Sequence, residues 1–181
     1  MIIHPTSLSG CFIIEPKVFK DQRGTFMEVF HHKDFLSKTG LEIEFVQDNQ
    51  SISKYGVVRG LHLQVGEAAQ AKLVRVIKGE ALDVIVDVRP KSNTFGKYFS
   101  VILSETNHKQ LFIPRGFAHG FISLSEETIF AYKCDNYYNP KAEVGIRYDD
   151  ATLQIDWYLP TEKHIVSTKD LALPSFKEFI L

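Results

Sequence analysis

Cysteine and tryptophan are almost missing from this chain: Cys11, Cys134 and Trp157 are all it has of them. Two thiols so far apart, with no second cysteine or histidine at ligand spacing, exclude a disulfide framework and a structural zinc knuckle, and they suit a reducing, cytoplasmic setting. Long apolar runs are missing as well. None approaches the ~20 residues that span a bilayer, and the N-terminal MIIHPTSLSG lacks the basic and apolar regions of a signal peptide, so no membrane partner is expected. Nor is there an excess of charge. With 21 Lys and Arg against 22 Asp and Glu, the net charge of −1 gives no global field for nucleic acid, and any anion must be met locally. Internal repeats, low-complexity tracts and linker-like composition breaks are absent too, and a single domain over residues 1–181 is expected.

What the chain does have is ample core material, 44% hydrophobic and 12% aromatic. It is distributed in short β-type runs separated by turn signals: CFIIEPKVF, GTFMEVF, KLVRVIKGEALDVIVDV, YFSVIL, QLFIP, HGFISL and TIFAYKC. That pattern predicts an all-β sandwich or barrel. Within KLVRVIKGEALDVIVDV, Lys78-Gly79 separates two alternating runs and predicts a tight hairpin. Alternation sets Lys72, Val74 and Val76 on one face and Leu73, Arg75 and Ile77 on the other; if the valines point inward, Lys72 goes with them. Helices are expected at KDFLSKTG, with Gly40 as its stop, and at PSFKEFIL near the end.

Two histidines carry the first chemical signals. PRGFAHGF, with His119, resembles the later of the two metal-binding motifs of metal-dependent cupins, but the earlier motif fails because Gln64 stands where a second histidine is required. No metal is therefore expected. In VVRGLHLQ, His62 lies between leucines and is either a satisfied core histidine or a general base. Arg59 lies an odd number of residues away, so in an ideal strand the two side chains face opposite sides. Gly60 makes a bulge plausible that turns Arg59 into the same cavity, where a guanidinium suits a phosphate-bearing substrate. An inward Lys72 is either an oxyanion stabiliser or the partner of a structural carboxylate such as Asp83. Tyr132 is either a proton donor or a core aromatic with a satisfied hydroxyl.

Taken together, the blocks FKDQRGTFMEVF, QDNQSISKYGVVRGLHLQ, QAKLVRVIKGEALDVIVDVRPKSNTFG, LFIPRGFAHGFISLSE, YKCDNYYNPKAEVGIRYDD and STKD make the chain similar, nearly end to end, to the dTDP-4-dehydrorhamnose 3,5-epimerase family. The resemblance implies a cupin-type jelly roll with a few short helices and an isomerase that needs no cofactor. It implies His62 as the base, Asp170 as its hydrogen-bonding carboxylate, Lys72 as enolate stabiliser and Tyr132 as the acid. Arg59 falls on a pyrophosphate ligand, His119 on a residue of the sugar pocket, and Gln47, Asn49 and Tyr138 on further binding positions. Phe19, Arg23 and Glu28 match nucleotide-binding residues that reach across from a second subunit, which implies a homodimer. Leu63, where the family often has tyrosine, and IRYDDATL depart from the family pattern and bear on pocket shape. A C3-only epimerase, a 3,4-ketoisomerase and a non-catalytic nucleotide-sugar binding module remain as alternatives.

Overall fold

A computed structural model describes residues 1–179 of the chain. Its strands are numbered in chain order. One sheet runs β1 (Ile2–Pro5), β2 (Phe12–Glu15), β10 (Gln110–Ile113), β7 (Lys72–Lys78), β12 (Glu127–Cys134), β5 (Gln47–Lys54). The other runs β13 (Glu143–Gly145), β6 (Val57–Gln64), β11 (Phe117–Ser123), β8 (Glu80–Asp87), β9 (Tyr98–Ser104), with the short β14 (Ile165–Val166) lying parallel beside β6. This is a cupin-type jelly roll. A separate hairpin, β3 (Val18–Asp21) with β4 (Gly24–Met27), pairs only with itself among the described residues.

The two inner faces enclose an apolar core of Val74, Val76, Ile85, Leu103, Leu111, Ile113, Phe121 and Phe130. Both outer faces are covered in part. Leu73 and Phe112 pack under Phe35 of helix α1 (His32–Thr39), and Leu82, Val84 and Val86 pack under the C-terminal segment carrying Tyr148, Leu153 and Trp157. Burial on both faces explains why β8 reads as an almost unbroken apolar run, as strands covered on two sides do. Helix α1 lies where the sequence predicts it, capped by the His31 ring at one end and by Gly40, at φ 71°, at the other.

Three expectations are corrected. Lys78-Gly79 does not close a hairpin: β7 pairs with β10 and β12, whereas β8 pairs with β11 and β9. Gly79, at φ 78°, instead turns the chain from one sheet into the other, and a Cβ there would lie 2.4 Å from the Glu127 carbonyl. CFIIEPKVF is split at Pro16 into β2 and β3. At PSFKEFIL the described residues make a single turn, in which Ser175 caps with Glu178 and the Phe176 ring lies tilted against Phe95; residues 180 and 181 lie outside the described part. The second helix is α2 (Thr168–Leu171), with Ser167 as its N-cap.

Candidate active site

Strand β6 decides the geometry. Val58, Leu61 and Leu63 all pack in the outer cluster, so the alternation slips by one residue between Val58 and Leu61. The pairing with β11 shows the same extra residue: His62 lies opposite His119, and Arg59 opposite Phe121. The bulge centres on Gly60, at φ 112°, where a Cβ would lie 2.6 Å from the His119 carbonyl oxygen and 2.7 Å from the Gly120 Cα. Its consequence is that Arg59 and His62, at odd spacing, line one cavity.

That cavity opens as two lobes that share His62, Lys72 and Tyr132. The larger, about 530 Å³, is lined also by Arg59, His119, Phe121, Phe130, Ser167 and Asp170. The smaller, about 300 Å³, is lined by Gln47, Asn49, Gln64, Gln70, Tyr138 and Glu143. These volumes fall in the range of small-molecule sites.

The His62 ring Nε2 lies 2.8 Å from Asp170 Oδ1, and the other Asp170 oxygen accepts the Gly60 backbone N–H at 3.2 Å. A carboxylate only accepts, so Nε2 carries the proton and Nδ1 is left as the basic lone pair. Burial alone would raise the Asp170 pKa; the bonds from His62, Gly60 and Ser167 outweigh it and hold the group below the usual carboxylate range. Asp170 is placed there by local structure. Ser167 caps α2 by accepting from the Asp170 N–H, β14 runs beside β6, and the Ile165 N–H bonds the Gly56 carbonyl.

The facing sheet brings Lys72 and Tyr132. Lys72 lies with Val74 and Val76 on the inner face of β7, and its Nζ stands 5.9 Å from the Tyr132 ring centroid. Burial pushes Lys72 below the ordinary lysine value, against the attraction of Cys134, Asp83 and Glu143, and burial pushes Tyr132 above the ordinary tyrosine value. His119 Nε2 is 2.8 Å from Asp83 Oδ2, a second histidine–carboxylate pair; burial pushes this imidazole below its ordinary value despite Asp83. The remaining oxygen, Asp83 Oδ1, is buried and has no hydrogen-bond partner among the described residues.

Gln47 and Asn49 project from β5 into the smaller lobe, bonded to each other at 3.1 Å, and the Gln47 side-chain carbonyl accepts from the Tyr138 N–H. The Tyr138 hydroxyl donates to Glu143 at 3.0 Å. Phe19, Arg23 and Glu28 do not join this cavity. They sit exposed on or beside the β3–β4 hairpin, with Arg23 paired to Asp21. Glu143 and Lys169, in contact with each other across the mouth, escaped the sequence reading. A three-residue strand gives Glu143 no periodic signal. Lys169 had one, since Ser167-x-x-Asp170 is a capping pattern that marks a helix start beside the cavity.

A jelly-roll barrel whose cavity sets a histidine on one sheet, paired to a carboxylate of the flanking helix, against a lysine and a tyrosine on the other sheet defines a class, the cupin-type enzymes that work by acid–base chemistry. The comparisons sharpen this. The family model for dTDP-4-dehydrorhamnose 3,5-epimerase matches residues 5–178. The enzyme of that name from Methanothermobacter thermautotrophicus is 52% identical over 166 residues, 91% of this chain and 89% of its own. The crystal structure of the Elizabethkingia anophelis dTDP-4-dehydrorhamnose 3,5-epimerase superposes with a TM-score of 0.95 at 51% identity, covering 98% of this chain and 97% of that one. The Legionella pneumophila dTDP-6-deoxy-D-glucose-3,5-epimerase, solved in complex with dTDP-4-keto-L-rhamnose, gives 0.95 at 46% identity over 99% and 94%. The chain belongs to the dTDP-4-dehydrorhamnose 3,5-epimerase family, and with it to the isomerases.

Proposed function

We propose that this protein converts dTDP-4-dehydro-6-deoxy-D-glucose into dTDP-4-dehydro-L-rhamnose by inverting C3 and C5. The observation that carries the reading is the opposition of His62 on one sheet, bonded to Asp170 of α2, to Lys72 and Tyr132 on the other sheet, across one cavity. Inversion needs a base on one side of a carbon and an acid on the other, and two facing sheets supply both.

The C4 ketone acidifies the hydrogens on C3 and C5. His62 Nδ1 takes the proton, and the Asp170 carboxylate stabilises the imidazolium that forms. The electron pair moves onto the C4 oxygen, where the Lys72 ammonium meets the developing charge in a site largely shielded from bulk water. Tyr132, kept protonated by its raised pKa, returns a proton from the opposite side. The ketone serves as the electron sink, and no cofactor enters the scheme. His119, held by Asp83, borders the sugar. Arg59 binds the diphosphate, and Gln47, Asn49 and Tyr138 hold the nucleotide.

Phe19, Arg23 and Glu28 are assigned to the site of the other subunit in a homodimer. Support comes from the hairpin itself: an isolated two-stranded ribbon is marginal in water, and this one exposes Phe19 and Phe26, their tilted rings 6.3 Å apart. A cytoplasmic setting suits the two free, buried thiols.

The test is product identity after incubation with the keto-sugar and chemical reduction. A rhamnose-configured product is expected, and His62→Ala should lower kcat about 10²- to 10⁴-fold while dTDP still binds. An unchanged sugar, a C3-only epimer or a 3-keto isomer would each contradict the assignment.

A further inference from the structure

Strand β5 carries a polar stripe on its inner face, Gln47, Asn49, Ser51 and Ser53. Ser53 is the most enclosed of the four, only 2% exposed, and it does not itself line either lobe of the cavity. Its hydroxyl accepts from Arg59 Nε at 3.2 Å. The residue opposite it, Thr128, is engaged elsewhere, with the Ser123 hydroxyl and the Glu80 carbonyl. Arg59, by contrast, is exposed at the cavity, where the bulge at Gly60 has turned it inward.

An arginine at a cavity rim has four rotatable side-chain bonds, and the bulge settles only the direction in which it leaves the backbone. A bond at Nε adds what is missing. The guanidinium is planar, so anchoring one N–H fixes the plane of the other four, and the two Nη groups are the pair that meets a phosphate in bidentate fashion. We propose that Ser53 is a positioning residue that sets the plane of the Arg59 guanidinium, so that both Nη groups face the diphosphate of the bound nucleotide sugar. This rests on the substrate reading above and deepens it. The buried end of the contact is the rigid one, in a strand paired along its whole length with β12, while the charged end stays at the cavity.

The test is a double-mutant cycle on dTDP binding by calorimetry, with thymidine as the phosphate-free control. Ser53→Ala should weaken dTDP about five- to tenfold, the scale of one hydrogen bond to a charged group at a partly exposed site. It should leave thymidine unaffected and cost nothing further in an Arg59→Ala background. Ser53→Thr, which keeps the hydroxyl, should bind as wild type does. In turnover, the loss should fall on KM rather than kcat. Should Ser53→Ala fail to fold, the wild-type protein still decides: the Arg59 Nε–H must exchange with solvent far more slowly than that of an unpartnered surface arginine. No loss on Ser53→Ala, an equal loss with thymidine, a loss that persists without Arg59, or a fast-exchanging Nε–H would each overturn the proposal. Turnover of the keto-sugar by wild type is measured alongside. If dTDP binds but the sugar is not epimerised, the functional reading falls while the Ser53 cycle still stands or falls by itself.

Discussion

Lys72 is the residue whose environment speaks most directly to pH. An ammonium whose pKa is lowered by burial loses its charge earlier as pH rises, so the enolate stabiliser switches off below the ordinary lysine value of 10.5. Tyr132 is shifted the other way and stays protonated through the same range. The expected result is an alkaline limb in kcat/KM, which reports the free enzyme, lying below 10.5 and belonging to Lys72. Lys72→Arg, which keeps a charge at every accessible pH, should lose that limb along with much of its rate. A limb at or above the ordinary lysine value, or one unchanged in Lys72→Arg, would remove Lys72 from the role. Asp170 has the opposite sign. Its lowered pKa favours the ionised, His62-bonded state above the usual carboxylate range, and that contribution fades as pH falls through the folded-state value.

At the scale of the element, the β6 bulge is the device on which the site depends. Gly60→Ala puts a Cβ against the β11 backbone in a conformation that side chains rarely adopt. The expected cost is about 2–3 kcal/mol, which at this length lowers Tm by about 4–12 °C. Because the slip of alternation is what brings Arg59 beside His62, kcat/KM should fall by more than the loss of folded protein explains. A variant with wild-type melting and turnover would show that the bulge is dispensable. The bulge was partly legible in advance: odd spacing across a glycine in VVRGLHLQ poses the problem, and only pairing with β11 shows how it is solved. Strands β7 through β12 were readable because their apolar residues alternate or run together. Strand β5 was not, because its inner face is the polar row Gln47, Asn49, Ser51 and Ser53; β13 and β14 are too short to show a period. Gly79 misled for a related reason, since one glycine can turn a chain between sheets as readily as it can begin a hairpin. His62, Lys72 and Tyr132 stood out in the sequence with two readings each, and the resemblance chose the catalytic ones and added Asp170. The Ser53–Arg59 contact spans the turn between β5 and β6, the Glu143–Lys169 contact joins β13 to α2, and neither pairing is signalled by the residues' spacing.

At the scale of the whole molecule, the cavity of one chain contains the proton-transfer groups and Arg59, but not Arg23 or Glu28. The homodimer reading makes this a shared site, and it predicts complementation. Arg23→Ala and His62→Ala should each be impaired alone, and a mixed dimer refolded from both should regain activity, because one of its two sites receives an intact His62 from one chain and an intact Arg23 from the other. Mixed dimers with no regained activity would place Arg23 outside the site. The central claim, that one base pair of residues on facing sheets works on two carbons of a keto-sugar, is tested most directly by proton NMR in deuterated water with dTDP-4-dehydro-6-deoxy-D-glucose and the wild-type protein. Deuterium entering both C3 and C5, and neither with His62→Ala, is the predicted result; deuterium at C3 alone, at neither carbon, or undiminished without the His62 imidazole would contradict it.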